Sequence, residues 1–207
     1  MTTLLAAFLV VAALPFVLVT WRISLAALSL QGLLMGWMFF RREPVFTPDS
    51  ILALADLVAV RGLLVPFMLD RAMRAEAAPR RGDALLPNMF SLTMVAVLIG
   101  LSFRLAGHLD PGGSESQTLV AVAVSALVLG FFTLATQTGV FTQVVGALCV
   151  ENAIALFELG GEASSTPLAV ELGLAAVFLL SACLFVLYVR WLHPGSATEF
   201  LAEKRVL

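Results

Sequence analysis

The sequence predicts an all-α integral membrane protein, a bundle of about seven transmembrane helices. Sixty per cent of its residues are hydrophobic, 13% are charged and the mean hydropathy is +1.01, values far from those of soluble domains. A chain of 207 residues accommodates about seven spans of about 20 residues with short connections. Little chain remains for a soluble catalytic domain, so this composition argues against a soluble enzyme.

The first three apolar segments include one that is unusual. Residues 3–20 have no basic residue before them and a second apolar segment after them, so we interpret them as a retained helix that contains Pro15 rather than as a signal peptide. The second helix is predicted at residues 22–40 and ends at charged residues. The third, residues 49–71, is unusual because it carries two charged residues and a proline inside an apolar stretch: Asp56, Arg61 and Pro66.

The remaining four helices are more uniformly apolar. A basic loop at residues 71–87 leads into the first of them, a polar turn follows it at residues 110–114, and a tight link at residues 137–139 joins the next two. Their predicted bounds are residues 85–107, 117–136, 139–159 and 167–192.

The predicted helices divide the chain into three parts. Residues 1–110 form a four-helix membrane segment, residues 115–193 form a three-helix segment, and residues 194–207 form a polar tail.

The distribution of Lys and Arg predicts an orientation. Seven helices put eight of the 12 basic residues on the side of the 71–87 loop and the C-terminus and three on the other side, with Arg61 inside a span. The positive-inside rule therefore places the C-terminus in the cytoplasm and the N-terminus outside.

Glu151 is the strongest candidate for a functional residue. It is followed by Asn152 within the apolar run of residues 139–159. A carboxylate in hydrocarbon is costly, so such a residue normally faces a bundle interior, water or a partner. Burial favours the neutral form of a carboxyl, which suits a step in a proton path. The alternative interpretation is a structural hydrogen bond between helices.

Other polar residues of the same helix are further candidates for that path. Gln143, Glu151 and Glu158 are spaced by eight and seven residues, so they lie near one helical stripe. Glu158, like Glu162 after it, is also interpretable as a solvated residue at the membrane interface.

Three more residues complete the candidate proton path. Asp56 and Arg61 are five residues apart, an awkward spacing for a pair within one helix, so each is expected to find partners elsewhere, either functional or as a neutralised structural contact. Glu171 lies in the first turns of the last helix, where the helix dipole favours an acid.

The sequence offers no candidate cofactor, metal or nucleic-acid site. Cys149 and Cys183 stand alone in apolar segments and are interpreted as packing residues. His108 and His193 fall at predicted helix ends and are interpreted as interfacial. Phosphate-binding glycine loops, Ser/His/Asp constellations and basic stripes with aromatic residues are missing, so we expect no catalytic residue and no nucleic-acid partner.

Three short stretches resemble one known family. The sequence QVVGALCVEN at residues 143–152 resembles the signature of the E subunit of hydrogenase-4 and formate-hydrogenlyase complexes, and RGLLVP at residues 61–66 resembles that family's basic-x-Leu-Leu-Val-Pro segment. VELG at residues 170–173 resembles its acid at the start of the last helix. The last three helices are similar to the three-helix K (chain 4L) subunit of respiratory complex I. Arg61 stands where a lysine is common, and residues 173–189 lack an acid that many E subunits carry.

The resemblance implies a membrane-arm subunit of a complex I-like hydrogenase or related oxidoreductase in a bacterial or archaeal cytoplasmic membrane. It implies that the chain binds no redox centre, docks antiporter-like subunits onto a membrane anchor and carries a proton step through Glu151. Two alternatives stay open. One is a freestanding transporter of a small cation or small molecule, with Glu151, Asp56 and Arg61 lining a midplane site. The other is a purely structural assembly subunit.

Overall fold

The described part of the protein is entirely helical. The computed structural model describes residues 1–17, 20–42, 47–75, 89–109, 114–137, 139–160 and 168–192, and these contain no strand. Residues 48–75 run through an α-helix, a π-helical segment and a second α-helix without a break, so the described residues form seven helical rods, which confirms the predicted all-α class. The elements in chain order are α1 (Thr2–Val17), α2 (Trp21–Arg42), α3 (Pro48–Ala55), the π segment (Asp56–Leu64), α4 (Val65–Ala75), α5 (Met89–Leu109), α6 (Ser114–Thr136), α7 (Val140–Gly160) and α8 (Leu168–Leu192).

Four of the rods in the described ranges are long and apolar enough to cross a membrane: Trp21–Arg42, Ser50–Arg74, Glu115–Thr136 and Val140–Gly160. Shorter apolar stretches cover Thr2–Val17, Leu92–His108 and Leu172–Tyr188. Together with large apolar side chains exposed on the outside of the bundle, they identify a helical membrane protein. Most of the predicted basic loop, most of the polar turn, Glu162, His193 and the polar tail lie outside the described residues.

The rods pack so that four of them meet around one region. Helices α6 and α7 pack along each other, joined by the tight connection that the sequence predicts, and α1 lies against α2, α5 and α6. Helix α2 also contacts α7 and the π segment, while α8 contacts α4, α7 and the π segment. As a result α2, the π segment, α7 and α8 surround a common interior.

The ends of the rods agree with an alternating up-and-down course. A guanidinium nitrogen of Arg42, at the end of α2, donates to the backbone carbonyl of Leu159, near the end of α7. The N-terminal ammonium of Met1 lies 3.7 Å from a carboxylate oxygen of Glu115, in the first turn of α6. The second and sixth rods therefore end on the same side of the bundle, and the first and fifth rods begin on the same side.

The third rod starts conventionally and then changes its geometry. Thr47 caps α3 by accepting a hydrogen bond from the Ser50 amide at 3.2 Å, with Pro48 in the first turn. Beyond Asp56 the backbone adopts π-helical bonds, and the Val65 amide donates to the Val60 carbonyl, five residues back. One turn of the rod is consequently wider than the turns on either side of it.

Pro66 follows the π segment, and Ser29 of α2 contacts the backbone near the end of that segment. Pro66 has no N–H to donate to the carbonyl of Gly62, four residues earlier. The Ser29 hydroxyl of α2 donates to that carbonyl instead. Since hydrocarbon offers no replacement donor, this contact between two rods satisfies a backbone group that the proline leaves without its α-helical partner.

Helix α2 and the π segment approach each other closely at two glycines. A Cβ added at Gly32 would lie 2.6 Å from the backbone nitrogen of Gly62 and 2.7 Å from its Cα. Backbone atoms cannot move aside as a flexible side chain can. Glycine at position 32 therefore sets the distance between the two rods.

We expect Gly32→Ala to destabilise the bundle by about 1–3 kcal/mol, because the added methyl group overpacks this contact. Gly100→Ala is the matched control, since a Cβ at Gly100 of α5 would meet nothing within 4 Å. The control should be neutral or stabilising by about 0.5–1 kcal/mol, because alanine favours the helix. Unfolding in detergent followed by far-UV circular dichroism measures both, and equal stabilities would contradict the close approach.

The buried apolar side chains form two clusters. The first draws on α1, α2, the π segment, α5, α6 and α7, and the second on α2, α4, α7 and α8. Three rods contribute buried residues to both clusters. In each of them, one or two helical turns separate the residues of the first cluster from those of the second. The corresponding buried residues, first cluster then second, are Met35 and Leu28 on α2, Leu57 and Val65 on the third rod, and Leu156 and Leu148 on α7.

Candidate functional site

A layer of polar side chains separates the two apolar clusters. Gln31 of α2, Arg61 of the π segment and Asn152 of α7 each lie between the residues that their rod gives to the two clusters, near the middle of that rod. They are 1%, 1% and 0% exposed, and Arg61 is the largest fully buried side chain among the described residues. Polar groups at this depth in a membrane bundle need partners within protein.

Arg61 is the centre of this polar layer. Its Nε donates to Asp56 Oδ2 at 2.7 Å, and its Nη1 lies 3.3 Å from Asn152 Oδ1 and 3.4 Å from the backbone carbonyl of Glu151. The guanidinium stacks over the ring of Phe178 on α8, 4.4 Å from the centroid. Residues of the π segment, α7 and α8 thus hold one cation by an ion pair, hydrogen bonds and a cation–π contact.

The sequence predicted that Asp56 and Arg61 would not pair with each other within one helix, and that prediction is wrong. In an α-helix, residues five apart are about 140° apart around the axis and cannot face each other. In the π segment the backbone bonds run to the fifth residue, so positions 56 and 61 lie on the same side of the rod. The pair forms because the turn between the two residues is wider, which the spacing alone did not indicate.

The layer extends from Arg61 to α2 through two amides. Asn152 accepts from Arg61 with Oδ1 and donates through Nδ2 to Gln31 Oε1 at 3.2 Å, and Gln31 Nε2 donates to Cys149 Sγ at 3.8 Å. Sequence reasoning missed Gln31, although an isolated amide inside an apolar helix was a usable signal. Cys149, interpreted as a packing residue, is also a hydrogen-bond acceptor in this layer.

Glu151 lies at the contact between α7 and α8 and is half-buried. Its Oε1 is 2.9 Å from the hydroxyl of Ser181, which is also 3.0 Å from the carbonyl of Val177. Its Oε2 is buried without a partner, as is Oδ1 of Asp56. The backbone of Glu151 therefore contacts Arg61, while its carboxyl is directed to α8 and has an unused oxygen.

The other candidates on α7 are distant from the centre of the layer. Gln143 is exposed and donates through Nε2 to the Gln137 carbonyl at 3.3 Å, across the link between α6 and α7. It precedes Glu151 by eight residues, about 12 Å along the axis, and Glu158 follows by seven, about 10 Å. Glu158 is half-buried near the end of α7. Glu171 lies in the first turn of α8, as predicted, and its side chain is outside the description.

Among the described residues near the layer, the positive charge of Arg61 is balanced by the negative charge of Asp56 when Glu151 is neutral. Arg61 is always protonated, and its 2.7 Å contact with Asp56 is typical of a charge-assisted pair. Glu151 supplies a further carboxyl beside the layer, with one oxygen that has no hydrogen-bond partner. In the described ranges, no group of three or more His, Cys, Asp or Glu side chains is placed to hold a metal ion.

Comparisons with known proteins place the chain in a family without assigning an activity. No family model matches the sequence, and no solved structure matches it. A relative in Mycobacterium tuberculosis, described as uncharacterized protein Rv0085, is 32% identical in an alignment 168 residues long that covers 76% of this chain and 74% of the relative. The protein therefore belongs to the same family as the uncharacterized Mycobacterium tuberculosis protein Rv0085.

Proposed function

We propose that the protein is a membrane-arm subunit of a complex I-like, membrane-bound hydrogenase of the formate-hydrogenlyase or hydrogenase-4 type, or of a related oxidoreductase. It docks antiporter-like subunits onto the membrane anchor and carries a proton step through Glu151. Electrons pass through other subunits. The observation that carries the proposal is the half-buried Glu151 carboxyl, with one oxygen on Ser181 and the other unpaired, beside a buried polar layer at mid-bundle.

The charge of that layer favours a proton step over cation transport. A metal or alkali cation needs several oxygens directed at one point, and the groups around the layer instead converge on the Arg61 guanidinium. At an effective dielectric constant of 20, Arg61 taken alone would repel a second cation about 4 Å away by roughly 4 kcal/mol, and its ion pair with Asp56 offsets part of that repulsion. A proton that moves onto a carboxylate neutralises it. The freestanding cation transporter is accordingly the weaker alternative.

The proposed setting is a bacterial or archaeal cytoplasmic membrane that all seven rods cross, with the N-terminus outside and the C-terminus in the cytoplasm. Arg22, in the first turn of α2, and Arg74, at the end of α4, lie at the end of the bundle to which the sequence count assigns eight of the 12 basic residues. Arg42 and Arg104 belong to the other end. This distribution supports the orientation through the positive-inside rule.

Affinity purification in mild detergent tests the assignment, with a photo-crosslinking residue placed at an exposed position of α7 or of α8, Phe157 or Leu184. We expect an antiporter-like subunit and a membrane-anchor subunit to co-purify and at least one position to form a crosslink with one of them. Leu5, 1% exposed, is the control position and should give no crosslink. A monodisperse lone chain without crosslinks would support a freestanding transporter.

A further inference from the structure

We propose that Asp56 and Glu151 share the Arg61 guanidinium as a common counter-ion. Asp56 balances Arg61 while Glu151 is protonated, and Arg61 also stabilises the Glu151 carboxylate once the proton has left. Arg61 and Asp56 are then positioning residues for the proton step. The inference rests on the proposed function for its physiological meaning, but the charge sharing is a property of this chain.

The geometry brings both carboxyl groups to the same cation. Arg61 already pairs with Asp56 at 2.7 Å and lies 3.4 Å from the backbone carbonyl of Glu151. Phe178, under the guanidinium, is three residues before Ser181, which holds the Glu151 carboxyl, so both contacts fall on one turn of α8. A side-chain rotation of Glu151, without backbone movement, would carry its carboxyl from Ser181 towards Arg61.

The contacts of Ser181 favour a protonated Glu151 in this arrangement. A serine hydroxyl has one hydrogen, yet Ser181 Oγ is within bonding distance of both Glu151 Oε1 and the Val177 carbonyl. Both contacts are hydrogen bonds when Ser181 donates to Val177 and a protonated Glu151 donates to Ser181. When the O–H bond of Glu151 breaks, its electron pair stays on the carboxylate and the proton passes to a water molecule. The hydrogen bond that Glu151 donated to Ser181 is then lost. Arg61 is the nearby cation that can compensate.

Among the described residues that surround Arg61, Asp56 and Glu151 are the acidic ones. The π segment contributes Asp56, α7 contributes Asn152 and Glu151, and α2 contributes the neutral Gln31 through Asn152. From α8 come the neutral Phe178 and Ser181. Among these described neighbours, removing one carboxyl leaves the other as the counter-ion, and removing both leaves a buried cation unbalanced.

Infrared spectroscopy of the full chain in lipid nanodiscs tests this inference. The C=O stretching band of a protonated carboxyl, assigned to Glu151 by its loss in Glu151→Gln, should be present at neutral pH. Asp56→Asn should abolish the band, because Arg61 then holds Glu151 as its carboxylate, and Asp56→Glu should restore it. The Arg61→Gln/Asp56→Asn double variant, which lacks both charges, should keep the band. A band that persists in Asp56→Asn would overturn the inference.

Thermal unfolding supplies a second measurement. Asp56→Asn and Glu151→Gln should each leave the bundle folded, whereas their combination should lose much more stability than the sum of the single effects. Additive losses would contradict a shared counter-ion. Neither measurement depends on partner subunits or on proton transport. A negative result in both would therefore contradict the charge sharing and leave the proposed function untouched. A chain that purifies without partner subunits would contradict the proposed function and leave the charge sharing untouched.

Discussion

Replacing Arg61 with leucine is expected to lower the free energy of unfolding by about 3–5 kcal/mol, the usual cost of removing one partner from a buried ion pair. The substitution leaves the Asp56 carboxylate without its cation and removes the donor to Asn152 Oδ1 and to the Glu151 carbonyl. Lysine at position 61 should recover part of the loss, because it keeps the charge but has no planar fork of donors. Unfolding in detergent or lipid, followed by circular dichroism, measures the change.

Arg74→Leu is the matched control. Its Nε also lies 2.7 Å from an aspartate oxygen, Oδ2 of Asp70, but its side chain is 64% exposed compared with 2% for Arg61. An exposed pair four residues apart on a helix contributes about 0.3–0.5 kcal/mol, so this variant should be nearly neutral. Similar losses in the two variants would show that Arg61 is not buried in protein as described.

Replacing both members of the buried pair should be milder than replacing Arg61 alone. In the Arg61→Leu/Asp56→Leu double variant no unbalanced charge remains, and buried ion pairs are often replaceable by apolar residues at little cost. Asn152 Oδ1 and the Glu151 carbonyl still lose the donor that Arg61 supplied, so stability should not return completely. A double variant as unstable as Arg61→Leu would indicate that packing of the long side chain, rather than its charge, dominates.

Glu151→Gln is expected to abolish most proton translocation by the assembled complex while preserving its assembly. The amide keeps the shape of the side chain and its contact with Ser181 but cannot titrate. A positioned proton-transfer group typically contributes on the order of 10² to a rate, so a loss of about tenfold or more is expected. Sealed inverted vesicles, with the rate normalised to the amount of complex, give the measurement.

Three further variants make this result specific. Glu151→Asp should retain part of the translocation, because the acid survives but is displaced by about one methylene. Glu115→Gln is the control, since Glu115 is an exposed carboxyl at the start of α6, 66% exposed. Glu151→Ala should impair assembly as well, because it removes the hydrogen bond between α7 and α8 at Ser181. Normal translocation by an assembled Glu151→Gln complex would restrict Glu151 to a structural role.

The sequence by itself determined the fold class, the seven helices and their order. These follow from apolar runs separated by charged or glycine-rich connections, a signal that depends on local composition and is strong in membrane proteins. Asp56, Arg61, Glu151 and Asn152 also stood out in the sequence, because polar side chains inside such runs are costly. Their importance could be inferred from solvation energy alone, and the structure brings all four together.

Only the tertiary structure decided which groups these residues contact. The Asp56–Arg61 pair depends on a π-helical turn, which a spacing rule for α-helices excludes and which forms where Gly62 meets Gly32. Gln31 of α2 and Ser181 of α8 became partners of α7 through packing between separate rods. Hydrophobic patterning determines that a residue lies within the membrane, whereas the rotation and separation of neighbouring helices determine its hydrogen-bond partners, and those depend on close packing between segments that no local pattern encodes.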